Sequence, residues 1–103
     1  LLYKVLKSGS GASPTASSTV VVDYEGRLID GTVFDSSYRR GESAEFPVNG
    51  VIQGWQIALK AMKPGDEWEL YIPAYLAYGE NGSGSNIPPA SALVFKVALH
   101  SVK

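Results

Sequence analysis

The sequence contains no cysteine and a single histidine. The first absence removes disulfides, thiolate nucleophiles and cysteine-ligated metals together. The second leaves no histidine cluster for a zinc site of the usual composition. Because His100 stands three residues from the end of a 103-residue chain, a Ser-His-Asp triad is also a poor fit. No apolar run approaches the roughly 20 residues that span a bilayer, and no secretory signal pattern stands at Leu1. Nor is there an excess of either charge: nine Lys and Arg face ten Asp and Glu, for a net charge of −1. That balance gives no electrostatic reason to expect nucleic acid or an anionic membrane as partner. No metal and no organic cofactor is implied.

What is present suits one folded domain. A chain of this length can bury a real core, and 45% apolar with 18% charged residues is ordinary for a globular protein. The first residue is not Met and falls at once into a strand-like pattern. The expectation is therefore a single domain over residues 1–103, excised from a longer chain.

One run, Val51 to Met62, has helical periodicity. Val51, Trp55, Ala58, Leu59 and Met62 share a face, with Gln53, Gln56, Lys60 and Lys63 opposite. Asn49 is placed to cap it and Pro64-Gly65 to stop it. Around it the chain reads as strand and turn. Leu2 to Leu6 is an edge-type strand, and Ser8 to Ser18 a loop. Thr19 to Glu25 alternates with Val20, Val22 and Tyr24 inward and Asp23 and Glu25 outward. Asp30-Gly31 marks a hairpin turn before Thr32-Val33-Phe34.

Asp35 to Glu42 reads as a polar bulge or flap, and Ala44 to Val48 as a short strand that Pro47 assigns to an edge. Asp66 to Ile72 turns Trp68, Leu70 and Ile72 inward; Trp55 and Trp68 are expected to differ in exposure. A long loop rich in Gly, Ser, Asn and Pro follows to Ala90, and such loops commonly serve a function. Leu93, Phe95, Val97 and Leu99 line the inward phase of the last strand. The expected fold class is α+β: five or six antiparallel strands curved around one short helix.

Chemistry concentrates in aromatics, 11% of the chain. Tyr24, Phe34, Trp55, Tyr78 and Phe95 come from five separate elements. Each alone is ordinary core; together, with Phe34 and Tyr78 beside polar loops, they would line a concave apolar pocket. Asp35 and Arg40 form either a surface ion pair or one polar point on that pocket, where the carboxylate accepts from Tyr24 or Arg40. Ile52 and Ile87 stand at loop-to-element junctions. The glycines of Gly79 to Gly84 lack the lysine and helix of a phosphate loop. Asp23 and Glu25 face outward as solvated carboxylates, not a glycosidase pair. Asn81-Gly82-Ser83 matches a glycosylation acceptor pattern. His100 takes the outward phase of the last strand and is given no role.

The runs Val20 to Gly26, Asp30 to Ser37, Val51 to Trp55, Leu76 to Gly79 and Ile87 to Phe95 resemble the FKBP-type peptidyl-prolyl isomerases, in order and at the family's spacings. Trp68 to Pro73 and the closing Ser101-Val102-Lys103 are similar to the Mip-like (macrophage infectivity potentiator) branch. The resemblance implies an FKBP-like fold and rotation about X-Pro bonds of peptides and unfolded proteins, assisting protein folding. Trp55 would be the pocket floor, with Tyr24, Phe34, Val51, Ile52, Ile87 and Phe95 as walls. Tyr78 would offer its hydroxyl and Ile52 its N–H to a carbonyl, and Asp35 would pair with Arg40. Phe46 would join Arg40, Val51, Ile52 and Ile87 in contacting substrate or inhibitor.

Macrolides such as rapamycin or tacrolimus are implied ligands. The branch also implies a homodimer formed by an N-terminal segment, in a periplasmic, cell-surface or secreted setting, with a cytoplasmic one as the alternative. Ala44, Ser83 and Asn86 depart from common family residues, Ala44 leaving one pocket wall lower, so the resemblance does not carry the family's substrate preference over to this chain. The competing reading is a non-catalytic module or chaperone that binds proline-containing ligands in the same pocket.

Overall fold

Alternation in the sequence becomes a two-faced sheet. In the computed structural model, which describes residues 1–84 and 86–103, six strands run as β1 (Leu2–Lys7), β2 (Thr19–Leu28), β3 (Val33–Ser36), β4 (Ala44–Pro47), β5 (Glu67–Ile72) and β6 (Leu93–Val102). Two helices, α1 (Ser37–Arg40) and α2 (Gln53–Ala61), interrupt them. Every ladder is antiparallel, in the order β1-β5-β6-β2-β3, and β4 also pairs with β2. The outer edge of β2 is thus shared. β4 takes its first half, from Thr19 to Val22, and β3 its second, from Glu25 to Arg27.

Val20, Val22 and Tyr24 of β2, Trp68, Leu70 and Ile72 of β5, and Leu93, Phe95, Val97 and Leu99 of β6 are all buried. Against them lies α2, whose Trp55, Ala58 and Leu59 are buried with Met62 just beyond. Burying side chains of this size is worth roughly 1.5–3 kcal/mol each, enough to hold a nine-residue helix that would not persist alone. The helix sits directly on β5. A Cβ added at Gly54 would come within 2.6 Å of Ile72 Cγ2, so only glycine permits that approach.

The expected α+β architecture is the observed one, with local differences. The flap after Phe34 contains α1, a single turn capped by the Ser36 hydroxyl on the Arg39 N–H at 3.3 Å and closed by Gly41 at φ +72. Asn49 does not cap α2. It belongs to a 3-10 turn, Val48–Gly50, and the N-cap is Ile52, which makes no side-chain cap. The side-chain amide of Gln56 ties the segment before the helix to its first turn by donating to the Val51 carbonyl at 2.8 Å. This is not a cap, because the amide accepts none of the first-turn N–H groups.

The two tryptophans do not differ in exposure as expected. Trp55 is 3% and Trp68 8% exposed, because Tyr3 of the edge strand stacks on Trp68 with centroids 4.4 Å apart. Ala98, on the outward phase of β6, is buried too; β6 is central, and its neighbours on both sides cover so small a residue.

Candidate active site

The N-terminal end of α2 faces β2, β3, β4 and β6 across a cavity of about 290 Å³. At its base stands Trp55, with three aromatic rings edge-on to the indole. Tyr24 lies 5.2 Å away at 84°, Phe95 5.3 Å at 87° and Phe46 5.8 Å at 88°, measured between centroids. Phe34 extends the wall by meeting Phe95 edge-on at 5.5 Å. Perpendicular pairs at these separations align positive ring edges with negative faces, so the rings hold one another as well as enclosing space. Val51 and Ile52, leading into α2, and Gly50 before them complete the apolar side.

One wall is polar. Asp35 of β3 accepts the Tyr24 hydroxyl at 2.5 Å on Oδ2 and is paired through Oδ1 with Arg40. Arg40 also donates from Nη2 to the Tyr24 hydroxyl at 3.1 Å, and its guanidinium lies 5.6 Å from that ring's centroid. Burial, then the neighbouring Asp35 carboxylate, pushes the Tyr24 phenol above its ordinary pKa of 10.0. Tyr78, at the cavity rim, is raised by the same two causes in the same order. Both therefore remain hydroxyl donors at neutral pH. Among the described residues no group of His, Asp or Glu side chains is placed to hold a metal ion.

Ten of the described residues line the cavity, and nine of them are among those singled out in the sequence: Tyr24, Phe34, Asp35, Phe46, Val51, Ile52, Trp55, Tyr78 and Phe95. Arg40 stands behind Asp35. Ile87 is 4% exposed and belongs to the core cluster, and it is not among the described residues that line the cavity. Its backbone bridges to Ser83 through two hydrogen bonds. Ala44, Ser83 and Asn86 likewise do not line the cavity.

A model of the FKBP-type peptidyl-prolyl cis-trans isomerase family matches residues 11–100. The chain belongs to that family. Over its whole length this FKBP-type domain is 61% identical to the peptidyl-prolyl cis-trans isomerase Mip of Coxiella burnetii, covering 45% of that protein. It is 60% identical over 99 residues to the FKBP-type 22 kDa peptidyl-prolyl cis-trans isomerase of Escherichia coli, covering 48% of it. The domain thus spans about half the length of these curated relatives. The crystal structure of FkpA from Escherichia coli superposes with a TM-score of 0.94 at 51% identity, over 98% of this chain and 47% of that one.

Two features of the FKBP-type domain escaped sequence reasoning. Gly50 lines the cavity, and the only sequence signal was its place directly before Val51. Asp23 is not a merely solvated carboxylate, nor is His100 without a partner. Asp23 Oδ1 accepts from the Ser37 hydroxyl at 2.7 Å; Oδ2 takes the Ser43 hydroxyl at 2.9 Å and His100 Nε2 at 2.7 Å. The Ser37 bond first, then His100, hold its carboxyl below the usual value of 3.8. Asp23 and His100 are 77 positions apart, and only the β2–β6 register brings them together.

Proposed function

We propose that this domain catalyses cis–trans rotation about X-Pro peptide bonds in the cavity above Trp55. The observation that carries the reading is the combination of three rings edge-on to a buried indole with one polar wall whose carboxylate is already engaged by Tyr24 and Arg40.

Amide rotation faces a barrier of about 18–20 kcal/mol because the twisted form loses resonance. At X-Pro the two isomers are close in energy, so the problem is rate alone. Neither nucleophile nor proton acceptor is required; the site must favour the twisted amide over the planar one. An apolar enclosure does so, because the planar amide is the more charge-separated and the better solvated by water. Proline fits against Trp55 between Tyr24, Phe46, Val51, Ile52 and Phe95. The Tyr78 hydroxyl and the Ile52 N–H are the donors for substrate carbonyls. Asp35, held by Arg40 and Tyr24, keeps the polar wall fixed.

The same features support macrolide binding, with a pipecolinyl ring such as that of rapamycin or tacrolimus in the proline position. For a longer protein containing this domain, the Mip-like likeness supports a homodimer built through an upstream segment. A protease-coupled assay on an X-Pro tetrapeptide tests the catalytic reading. Acceleration is expected, and binding of the peptide without acceleration would instead establish a non-catalytic module.

A further inference from the structure

Asp23 and Tyr24 occupy a gap in the hydrogen bonding of the sheet. β4 covers the edge of β2 as far as Val22, and β3 resumes at Glu25. Between them α1 takes the place of a strand, and its first residue, the fully buried Ser37, closes the gap. The Ser37 hydroxyl accepts the Tyr24 N–H at 2.8 Å, a backbone donor that the strands leave without a partner. The same hydroxyl donates to Asp23 Oδ1 at 2.7 Å. It has one hydrogen to give, and its other acceptor, the Tyr24 carbonyl, lies at 3.4 Å, where a bond is weak. Asp23 is itself held from two further sides, by Ser43 after α1 and by His100 on β6.

At the far end of α1, Arg40 reaches the cavity wall and engages both Asp35 and the Tyr24 hydroxyl. A single helical turn has no stability of its own, so its direction depends on what holds its ends. One end is tied to Asp23, on the face of the sheet turned away from the cavity. The other sets the guanidinium against Asp35. Asp23 and Tyr24 are consecutive residues pointing to opposite faces, and both ends of the turn are anchored on them.

We propose that Asp23 is a positioning residue for the polar wall of the cavity, acting through Ser37 and α1 on the Arg40–Asp35–Tyr24 group. Asp23 touches neither the cavity nor a substrate. Its part is to keep the Ser37 hydroxyl pointed at one acceptor, so that α1 presents Arg40 in one direction. The functional consequence rests on the cavity being the isomerase site; the structural coupling does not.

The test compares Asp23→Leu, which removes the acceptor at similar size, Asp23→Asn, which keeps a carbonyl oxygen for Ser37, Ser37→Ala and His100→Ala. Two quantities are read on protein shown folded by circular dichroism: the Arg40 Nε–H signal of the ligand-free domain in ¹H–¹⁵N NMR spectra, and kcat/KM on an X-Pro tetrapeptide. Asp23→Leu and Ser37→Ala are expected to shift or broaden the Arg40 signal and to lower kcat/KM about threefold to tenfold. Asp23→Asn is expected to restore both to within about twofold of wild type, and His100→Ala, which leaves the Oδ1 bond intact, to stay there. Should Asp23→Leu fail to fold, Ser37→Ala and Asp23→Asn carry the comparison. An unmoved Arg40 signal in Ser37→Ala and Asp23→Leu overturns the proposal whatever the rates. Failure of Asp23→Asn to rescue overturns it as well. If wild type shows no isomerase activity, the isomerase reading falls, while the Arg40 signal still decides the coupling.

Discussion

The Tyr24 hydroxyl donates to Asp35 Oδ2 across 2.5 Å, joining β2 to β3 at the one polar wall of an otherwise apolar cavity. Tyr24 meanwhile sets its ring edge-on to Trp55 at 5.2 Å. One side chain thus links the cavity's base to its charged group. Tyr24→Phe should keep the ring packing and lose the bond. The expected loss of stability is about 1.5–3 kcal/mol, the range for hydrogen bonds to charged groups, toward the lower end because Asp35 keeps Arg40. Urea unfolding measures it; an unchanged midpoint would show that the bond contributes nothing in water.

Phe34→Ala removes the ring that extends the apolar wall from Phe95. A partly buried phenyl is worth about 1.5 kcal/mol of enclosure, so kcat/KM on an X-Pro peptide should fall roughly tenfold. Tyr78→Phe keeps its ring and removes only a donor, and a fall of about threefold to tenfold is expected. Equal rates for wild type and both variants would place the reaction elsewhere.

Gly26 has no room for a side chain. A Cβ there would lie 2.6 Å from Phe34 Cζ and 2.7 Å from Phe95 Cε1, so both rings must move. Gly26→Ala should cost about 1–3 kcal/mol, as overpacking does, and should lower kcat/KM as well. Thermal unfolding together with the peptide assay checks this; a variant as stable and active as wild type would mean that the rings yield freely.

The pH–rate profile should be flat from about pH 6 to 8, because rotation needs no proton transfer and the donors do not ionise there. Tyr24 and Tyr78 are both raised above 10.0, so their hydroxyls persist to about pH 10. What stability these groups add through their neutral form is present below that value and lost as pH rises through the folded pKa. The one histidine of the chain, His100, is the side chain of the type most used for proton transfer in catalysis. Its contact is with Asp23 and not with the cavity, so His100→Ala should leave the profile unchanged. An inflection near pH 6.5 that disappears in His100→Ala would contradict the mechanism.

Acid should act on stability instead. The Asp23 carboxyl sits below 3.8 in the folded protein, so its contribution is present above that value and is lost as pH falls through the folded pKa. Wild type should therefore lose stability below about pH 4 more steeply than Asp23→Asn, a difference that urea titrations at successive pH values would reveal.

Much of this protein was legible in its residues. Period-two alternation in Thr19–Glu25, Asp66–Ile72 and Leu93–Leu99, and period-3.6 spacing in Val51–Met62, follow from burying one face of a strand or helix. The buried sets confirm those faces. The aromatics that meet at Trp55 were also visible, since large rings at the ends of several elements have few places to pack other than against one another. What the sequence could not specify was long-range register and competition for burial. Asp23 reads as solvated until the β2–β6 ladder delivers His100 and α1 delivers Ser37. Ile87 reads as an apolar residue at a loop junction, and only the folded chain bonds its backbone to Ser83 and packs it into the core cluster. Trp68 reads as different from Trp55 until Tyr3 covers it. Periodicity records which side of its own element a residue faces. The neighbours it meets there are decided only when the elements close on one another.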